Sequence, residues 1–503
     1  MLKLIFSSLF ILLCVILPAQ DSYKRLDSLF TTLYSYRQFN GTVLVAEKGN
    51  IIFRKSLGFA NQSRQLANRD SSVFALGSVS KILTSTAILQ LKEKGKIRLD
   101  DALIKYFPGF PYPAITIRHL LTHTSGLPDY DLYEEEMDKN PRKIFTIADI
   151  IPSLKNWKQP LHFEPGEKWQ YSNTNFCLLA LLLEKVTGKS FPQYVQQFIF
   201  KPAKMTHTYF QTDTIQSMNK NQVVNYEYPW LFSMAMQPVD SIKRNYWRLY
   251  NASGFLGQGN IMTTADDMLQ FDETFFAGQL VKPATIKEIL TPAKLNSGDN
   301  VNAGTGIGKT SYGLGWFIAD DTTKGRLVGH TGGVPGGLSI YLRNMDRKQT
   351  VIAFDNTFGK TLYTTGVNIM HILNGQPVIK RPVSFIQDYA IELQKNGPDI
   401  AFCKLVEWKS DTLHYFLSEN DMNELGLQLL YAASFEQHST MALEVLRLNI
   451  LLFPDGFNTY DSYAEALAFT GKKKEAIAMY KKSIQLNPNN NGGKKALEKL
   501  LNE

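Results

Sequence analysis

The chain has 503 residues, of which 44% are hydrophobic and 20% charged, a composition that supports a large core and excludes global disorder. Three cysteines are too few for a disulfide-based scaffold. The formal net charge of +8 is small for this length, and no lysine- and arginine-rich block with interleaved aromatic residues occurs, so the sequence does not indicate nucleic-acid binding.

The N-terminus has the pattern of an export signal. Lys3 supplies a positive charge, an apolar run covers Leu4–Leu17, and Ala19 offers a small residue for cleavage. We predict that residues 1–19 are a secretory signal peptide, which places the mature chain in a bacterial periplasm or on the cell surface without a membrane span. An uncleaved N-terminal anchor is the alternative.

The next 350 residues mix helical and strand patterns. In chain order, the patterns predict a helix over Ser22–Tyr36, a β-hairpin formed by Thr42–Ala46 and Ile51–Lys55, and two apolar helices over Val79–Lys94 and Phe176–Val186. Four strands separated by glycine-rich turns follow: Tyr312–Ile318, Leu327–His330, Leu338–Arg343 and Gln349–Phe354. We predict an α+β domain over residues 22–375 whose sheet joins the two ends of that stretch.

Helical periodicity replaces the strand pattern after residue 375. We predict a linker over residues 376–383 and an all-helical region over residues 384–503. Two segments of this region match at an offset of 34 residues, the period of tetratricopeptide helix pairs; the matched pairs are Ala442 with Ala476, Leu446 with Tyr480 and Pro454 with Pro488. A plain helical tail is the alternative. Stacked helix pairs form a concave surface, so the region either binds a protein partner or braces the first domain.

Three short motifs carry residues suited to nucleophilic catalysis. Ser78 and Lys81 stand three residues apart at the start of a predicted helix, so the amine lies beside the hydroxyl and can take its proton. Tyr171 and Asn173 precede the second helix and supply a proton-transfer group and an amide. Gly329–Gly337 lies between two strands, where glycine admits a substrate close to the backbone.

The order and separation of these motifs resemble the serine β-lactamase and penicillin-binding DD-peptidase superfamily, specifically its class C β-lactamase-like branch. Further stretches resemble that branch, namely Ile115–Pro128, Gly257–Met268 and Tyr312–Trp316. The resemblance covers about residues 25–370. It implies a mixed domain with an antiparallel sheet, helices and an all-helical region, and it implies no cofactor and no metal ion.

The resemblance also implies a role for each motif residue. Ser78 would be the acylated nucleophile, with Lys81 and Tyr171 sharing general acid–base duty. Asn173 would hold the substrate amide, and the backbone N–H groups of Ser78 and Gly333 would form the oxyanion hole. The remaining residues that would contact the substrate are His330, Thr331 and Gly332. The reaction would be a two-step acyl transfer on a small-molecule or peptide substrate.

One residue departs from the pattern of the class C β-lactamases, which have lysine where this chain has His330. An imidazole with the usual pKa of about 6.5 is mostly neutral at pH 7 and attracts a β-lactam carboxylate less than an ammonium does. The sequence therefore favours a DD-peptidase or esterase. A β-lactamase proper and a non-catalytic protein that binds a partner through residues 384–503 are the alternatives.

Two other patterns imitate functional motifs without completing them. Gly304–Thr310 imitates a phosphate-binding loop, but Ala303 stands where the first glycine belongs. His119 and His123 have the spacing of a zinc-protease pair without the glutamate that follows in such helices, so we predict structural roles for both.

Overall fold

The structure is a computed structural model that describes residues 21–211, 219–305, 307–321, 325–359, 361–380, 382–432 and 436–502. The predicted signal peptide lies outside these residues. The chain forms two compact units: the first ends at Glu227 and resumes over Pro238–Val378, and the second combines Tyr228–Gln237 with the residues from Ile379 onward. In the described ranges, no helix is both long and apolar enough to cross a membrane.

An eight-stranded antiparallel sheet organises the first unit. Its strands are β1 (Gly41–Glu47), β2 (Asn50–Leu57), β3 (Asn302–Thr305), β4 (Gly308–Tyr312), β5 (Phe317–Asp321), β6 (Gly325–Val334), β7 (Gly337–Asn344) and β8 (Gln349–Asp355). They follow the order β3-β4-β5-β6-β7-β8-β1-β2. The pairing of β8 with β1 joins Gly41 to Asp355, which confirms the expectation that the sheet unites distant ends of the chain.

The two faces of the sheet cover separate cores, because successive strand residues point to opposite sides. Val43 and Val45 pack into one apolar cluster, whereas Leu44 and Ala46 pack into the other. The first cluster includes residues of a helix over residues 21–35 (α1) and of Leu362–Leu373 (α5). Both faces of β1 are therefore buried, which explains its almost continuous apolar sequence.

The predicted strand Tyr312–Ile318 is wrong in one respect. The chain forms two strands, β4 and β5, separated by a turn at Gly313–Trp316. Gly315 has a φ of +83°, a left-handed conformation that favours glycine, and Trp316 is fully buried. The apolar run resembles a strand because its turn residues belong to the core.

Three helices complete the framework of this unit: α2 (Ser80–Glu93), α3 (Asn173–Thr187) and α4 (Ala265–Phe276). Every residue of α2 from Ser80 to Leu91 is buried, so the helix runs through the core rather than along the surface. Helix α3 ends at Gly188, whose φ of +68° suits a glycine cap. Shorter helices are Ile117–Leu121, Glu134–Lys139, Ile150–Asn156, Phe191–Val195 and Pro283–Ile289.

The second unit is helical, as predicted. Its helices are α6 (Ile386–Ser410, kinked at Gly397), α7 (Glu419–Tyr431), α8 (Glu436–Leu452), α9 (Phe457–Phe469), α10 (Lys473–Leu486) and α11 (Asn491–Asn502). One parallel pair of two-residue strands, Val383–Ser384 with Tyr415–Phe416, departs from the all-helical expectation. Of the residues matched at the 34-residue offset, Ala442 and Leu446 are buried in α8, and Ala476 and Tyr480 are buried in α10. The two prolines are exposed just beyond the ends of these helices. The assignment of the region to tetratricopeptide repeats stays a prediction.

A segment from the middle of the chain belongs to the core of the second unit. Phe232 is buried among the apolar side chains of α6, α7 and α8. The Leu231 N–H donates to Gln428 Oε1 at 2.7 Å, and Gln394 Nε2 donates to the Phe232 carbonyl at 2.6 Å. The sequence pattern does not separate Tyr228–Gln237 from the first domain, so this exchange is visible only in the structure.

Candidate active site

Ser78 lies in a single 3-10 turn, Gly77–Val79, that leads into α2. Its side chain is partly exposed, whereas its neighbours Gly77 and Val79 are buried. Gly77 has a φ of +53°, and a Cβ placed there would lie 3.0 Å from the Gly333 nitrogen. Glycine at this position therefore lets the turn bearing Ser78 come directly against strand β6.

Lys81 is the most deeply buried cation of the site, with no exposed surface. Its Nζ atom lies 3.1 Å from Ser78 Oγ, 2.8 Å from Asn173 Oδ1 and 3.0 Å from the Gln258 carbonyl oxygen. The asparagine oxygen and the backbone carbonyl are acceptors only, so Nζ donates a proton to each of them. The third position on the nitrogen consequently faces the Ser78 hydroxyl.

Burial controls the charge of this lysine. Removal from water lowers the pKa of Lys81 from 10.5 to about 7, and the negative charge of Asp129 partly opposes that fall. At neutral pH a large fraction of the amine is therefore unprotonated. In that state its lone pair points at Ser78 and can accept the hydroxyl proton, whereas the ammonium form donates to Oγ.

Tyr171 places its ring beside the same lysine, with Lys81 Nζ 4.8 Å from the ring centroid. Burial raises the pKa of the phenol well above its ordinary value, and the Ser78 hydroxyl opposes that rise by favouring the phenolate. Within the described part of the chain, the buried hydroxyl has no hydrogen-bond partner at normal distance and angle. The phenol therefore stays protonated at neutral pH and has its donor available beside the nucleophile.

Asn173 is held from two sides at the first turn of α3. Its Oδ1 atom accepts from Lys81, and its Nδ2 atom donates to Asp129 Oδ2 at 3.1 Å. The Asn173 backbone N–H donates to the other carboxylate oxygen, Asp129 Oδ1, at 2.9 Å. The carboxamide is thus fixed in one orientation, and Asp129 joins the site although no motif in the sequence pointed to it.

The loop before Asp129 supports the Tyr171–Asn173 motif. His123 Nδ1 accepts from the Ser172 N–H at 3.2 Å and lies 3.1 Å from Asn175 Nδ2, and the His123 ring is 4.3 Å from that of Tyr171 between centroids. The Ser172 hydroxyl donates to the Pro128 carbonyl at 3.1 Å. His123 is therefore buried within the framework of the site, in keeping with the structural role predicted for it.

Strand β6 presents an open backbone edge toward Ser78. Its pairing with β5 ends at Gly329, so among the described strands residues 330–334 pair with β7 alone. A Cβ on Gly332 would overlap the Leu76 carbonyl oxygen and would lie 3.0 Å from the Ser78 nitrogen. The backbone N–H groups of Ser78 and Gly333 thus belong to two segments in direct contact, as an oxyanion hole requires.

Two side chains fix this edge in place. The Ser339 hydroxyl on β7 donates to the Leu76 carbonyl at 2.7 Å, which ties the sheet to the turn before the nucleophile. The Tyr363 hydroxyl on α5 donates to the Gly332 carbonyl at 2.9 Å. Tyr363 and Thr331 both remain partly exposed beside the edge. None of the sequence motifs pointed to Tyr363, which lies in the first turn of α5.

His330 differs from the substrate-contacting role that the resemblance implies. Its side chain is only 1% exposed, its Nε2 atom lies 3.1 Å from the Tyr312 hydroxyl, and its Nδ1 atom lies 2.6 Å from the Thr331 carbonyl. Burial, with a contribution from Lys81, lowers the pKa of His330 to about 3, so the ring is neutral. Both ring nitrogens face protein atoms, and the histidine lies behind the strand edge.

The structure therefore brings together Ser78, Lys81, Tyr171, Asn173 and the Gly332–Gly333 edge, and it buries His330 beneath them. The two patterns that imitate functional motifs, the histidine pair and the glycine-containing loop, have structural roles. His119 caps its own helix through Thr116, and Lys309 and Thr310 lie in strand β4. A serine whose hydroxyl meets a lysine of lowered pKa, next to a tyrosine and two convergent backbone N–H groups, defines the site of an active-site serine hydrolase.

Comparison with known proteins agrees with this class. The beta-lactamase family model matches residues 26–366. Penicillin-binding protein 4* of Bacillus subtilis is 34% identical over 371 residues, which cover 72% of this chain and 79% of that protein. The chain belongs to the β-lactamase family of serine hydrolases, whose members include penicillin-binding proteins.

Solved structures show the same fold. A penicillin-binding protein from Bacillus halodurans superposes with a TM-score of 0.56 at 25% identity, covering 67% of this chain and 98% of that one. A D-amino acid amidase from Ochrobactrum anthropi superposes with a TM-score of 0.55 at 23% identity, covering 71% and 97% respectively. The predicted α+β fold is thus confirmed for the first unit.

Proposed function

We propose that the protein is an exported hydrolase that cleaves an amide or ester bond through an acyl-enzyme on Ser78, with a D-amino-acid peptide of the peptidoglycan type or an ester as substrate. The observation that carries this proposal is the position of Lys81 Nζ, 3.1 Å from Ser78 Oγ with both of its other contacts to acceptor oxygens. This arrangement supplies a base already aimed at the nucleophile.

Acylation begins when neutral Lys81 accepts the hydroxyl proton of Ser78. The Oγ atom then attacks the substrate carbonyl carbon, and the carbonyl oxygen takes the negative charge between the N–H groups of Ser78 and Gly333. The Tyr171 phenol donates a proton to the leaving nitrogen or oxygen and is reprotonated from the Lys81 ammonium. The leaving group departs, and the acyl group stays on Oγ.

Deacylation uses the same groups in reverse order. A water molecule takes the place of the leaving group, and Lys81 with Tyr171 accepts its proton as it attacks the ester carbonyl. The tetrahedral intermediate collapses, the proton returns to Ser78 Oγ, and the free acid is released. Asn173 holds the acyl portion, and the open edge of β6 receives the backbone of the substrate, with Thr331 and Gly332 beside it.

A peptidase or esterase is favoured over a β-lactamase because residues 330–334, the open edge of β6, carry no cation for the lactam carboxylate. The pKa of His330, lowered to about 3, leaves this residue uncharged throughout the physiological range. The similarity to penicillin-binding proteins supports the same preference. A cephalosporin hydrolysed as rapidly as the best D-peptide substrate would argue for the β-lactamase alternative.

The decisive experiment is covalent labelling of the full chain with a fluorescent fluorophosphonate. Wild-type protein is expected to label at Ser78 and to hydrolyse members of a panel of esters and D-amino-acid peptides. Ser78→Ala, which removes only Oγ, is expected to lose both properties while keeping its thermal unfolding temperature. Equal labelling of the two proteins would refute the assignment of the nucleophile.

The rival function is that of a non-catalytic protein that recruits a partner through residues 384–503. Large apolar side chains exposed in this region, including Phe402, Leu413 and Leu451, are compatible with such a partner. The assembled Ser78–Lys81 pair favours catalysis instead. Wild-type protein that neither labels nor turns over any substrate of the panel would support the rival.

Export is proposed from the pattern of residues 1–19. Expression in a bacterial host followed by mass determination of the mature chain tests it, with Gln20 expected as the first residue. Recovery of a full-length chain in the membrane fraction would support the retained anchor.

A further inference from the structure

The charges of the second unit are sharply divided along the chain. Residues 384–470 contain thirteen aspartate and glutamate residues against four lysine and arginine residues. Residues 472–499 contain eight lysines against two glutamates. The C-terminal helix pair, α10 with α11, is therefore strongly basic, whereas the helices before it are strongly acidic. Such an asymmetry within one compact unit indicates a contact between its basic end and an anionic partner.

The lysines of this helix pair face solvent without acidic partners. Across the described ranges of the chain, six of them have no carboxylate oxygen within 4.0 Å of Nζ, namely Lys473, Lys474, Lys481, Lys482, Lys494 and Lys495. Lys482 is partly exposed and the other five are exposed. By contrast, Lys404 in the acidic part of the unit pairs with Glu407 at 2.7 Å. Ion pairs therefore leave the positive charge of the helix pair available to a partner.

Helix α10 turns one face inward and its lysines outward. Its buried residues are Ala476, Tyr480 and Ser483. Lys474 and Lys481 are two helical turns apart and lie on the opposite side of the helix. Tyr480 is the only aromatic residue in the sequences of α10 and α11, so their exposed surface offers no stacking platform for nucleic-acid bases.

Helix α11 combines lysines with leucines on its outer surface. Among the twelve described residues of this helix, Gly493 alone is buried. Lys494, Leu497 and Leu501 follow one another at intervals of three and four residues and share one face. Leu497 is partly exposed, and Leu501 is 59% exposed. Exposed leucines between lysines are typical of a helix that lies in the surface of a membrane.

We propose that α10 and α11 form a surface that binds the anionic headgroups of a phospholipid bilayer. The lysines supply the attraction to the headgroups, and Leu497 and Leu501 enter the boundary between headgroups and acyl chains. The acidic residues 384–470 are repelled by the same bilayer, so the unit approaches it with the basic end first. This contact is peripheral, and it is independent of the proposed hydrolase function.

The test is cosedimentation with vesicles of phosphatidylglycerol and phosphatidylcholine in equal parts, compared with vesicles of phosphatidylcholine alone. Each protein begins at Gln20 and keeps every described residue, because the apolar run Leu4–Leu17 would itself bind lipid. Wild type is expected to bind the anionic vesicles and not the neutral ones. Raising the NaCl concentration from about 0.1 M to about 0.5 M should release it, since salt screens charges at a surface.

Three variants, each checked for folding by circular dichroism, identify the surface. Lys494→Gln combined with Lys495→Gln should weaken binding to the anionic vesicles about 25-fold, since each lysine near such a surface contributes about fivefold. Leu501→Gln should weaken it about tenfold, the lower value typical of burying a leucine side chain. Lys395→Gln combined with Lys409→Gln is the matched control, which removes two exposed lysines from the acidic part of the unit and should bind as wild type does.

Several results would overturn the proposal. Wild type that does not bind the anionic vesicles, or binds both kinds equally, would do so, as would Lys494→Gln/Lys495→Gln protein that binds like wild type. A second copy of the chain is the competing partner, because its acidic helices would complement the basic pair. Wild type that ignores the vesicles and dimerises at low salt, with the dimer lost in the double variant, would assign the surface to that partner instead.

Discussion

The protonation state of Lys81 is expected to set the rate at which Ser78 becomes acylated. With a pKa of about 7, the neutral fraction of this amine is about 9% at pH 6, about 50% at pH 7 and about 91% at pH 8. Only the neutral form can accept the serine proton, so the acylation rate should rise with pH. The expected increase between pH 6 and pH 8 is about tenfold.

Two neighbouring groups, His330 and Tyr171, do not titrate in this window. The pKa of His330 is lowered to about 3, and that of Tyr171 is raised well above its ordinary value. A neutral fluorophosphonate probe adds no titrating group of its own, so its second-order labelling rate across pH 5–9 reports the lysine directly. The midpoint of the curve should fall near pH 7.

Lys81→Arg supplies the contrast, because a guanidinium remains charged at every accessible pH. This variant should label about 10²–10⁴-fold more slowly than wild type, with no rise between pH 6 and pH 8. Circular dichroism at both ends of the range controls for unfolding. A labelling rate in wild type that is independent of pH, or an arginine variant that labels normally, would refute the role of Lys81 as the base.

Three further predictions concern packing and charge. Gly332→Ala should lower kcat/KM by about a hundredfold, because its Cβ would displace the turn that carries the nucleophile. Gly333→Ala is the control: its Cβ would lie 3.6 Å from the nearest atoms, so this variant should retain most acylation by the fluorophosphonate. Arg343→Met should cost about 3–5 kcal/mol in urea unfolding because it leaves buried Asp272 unpaired, and adding Asp272→Asn should recover part of that loss. Phe232→Ala should cost about 3–5 kcal/mol in the same assay, and Phe232→Leu much less.

The sequence was sufficient to predict the elements that depend on local periodicity and on turn residues. The hairpin of β1 and β2 and the helix that follows Ser78 both lie where the pattern placed them. The strand predicted over Tyr312–Ile318 was wrong because the hydrophobicity of Leu314 and Trp316 reflects burial in a turn. Over so short a run, a buried turn and a buried strand both show consecutive apolar residues, so the pattern does not distinguish them.

Within the site, the motifs supplied the residues that perform chemistry, and tertiary contacts supplied those that orient them. Asp129 lies 44 residues before Asn173, and Gln258 lies 177 residues after Lys81. Gln258 contributes a backbone carbonyl, a group that every residue type carries, so its identity holds no signal. His330 illustrates the reverse case. The pattern correctly placed this residue in a strand, but its side chain, expected to contact the substrate, is buried.

The place of Tyr228–Gln237 in the second unit affects how the gene for this protein could be divided. Translation stopped after residue 375 would yield a hydrolase still carrying Phe232 but lacking every helix that buries it. A fragment beginning at residue 384 would lack Phe232, which is part of the core of the helical unit. Recombination at a single junction would therefore expose, in both products, apolar side chains that are buried in the whole protein. The helical unit and the hydrolase are thus expected to be inherited together.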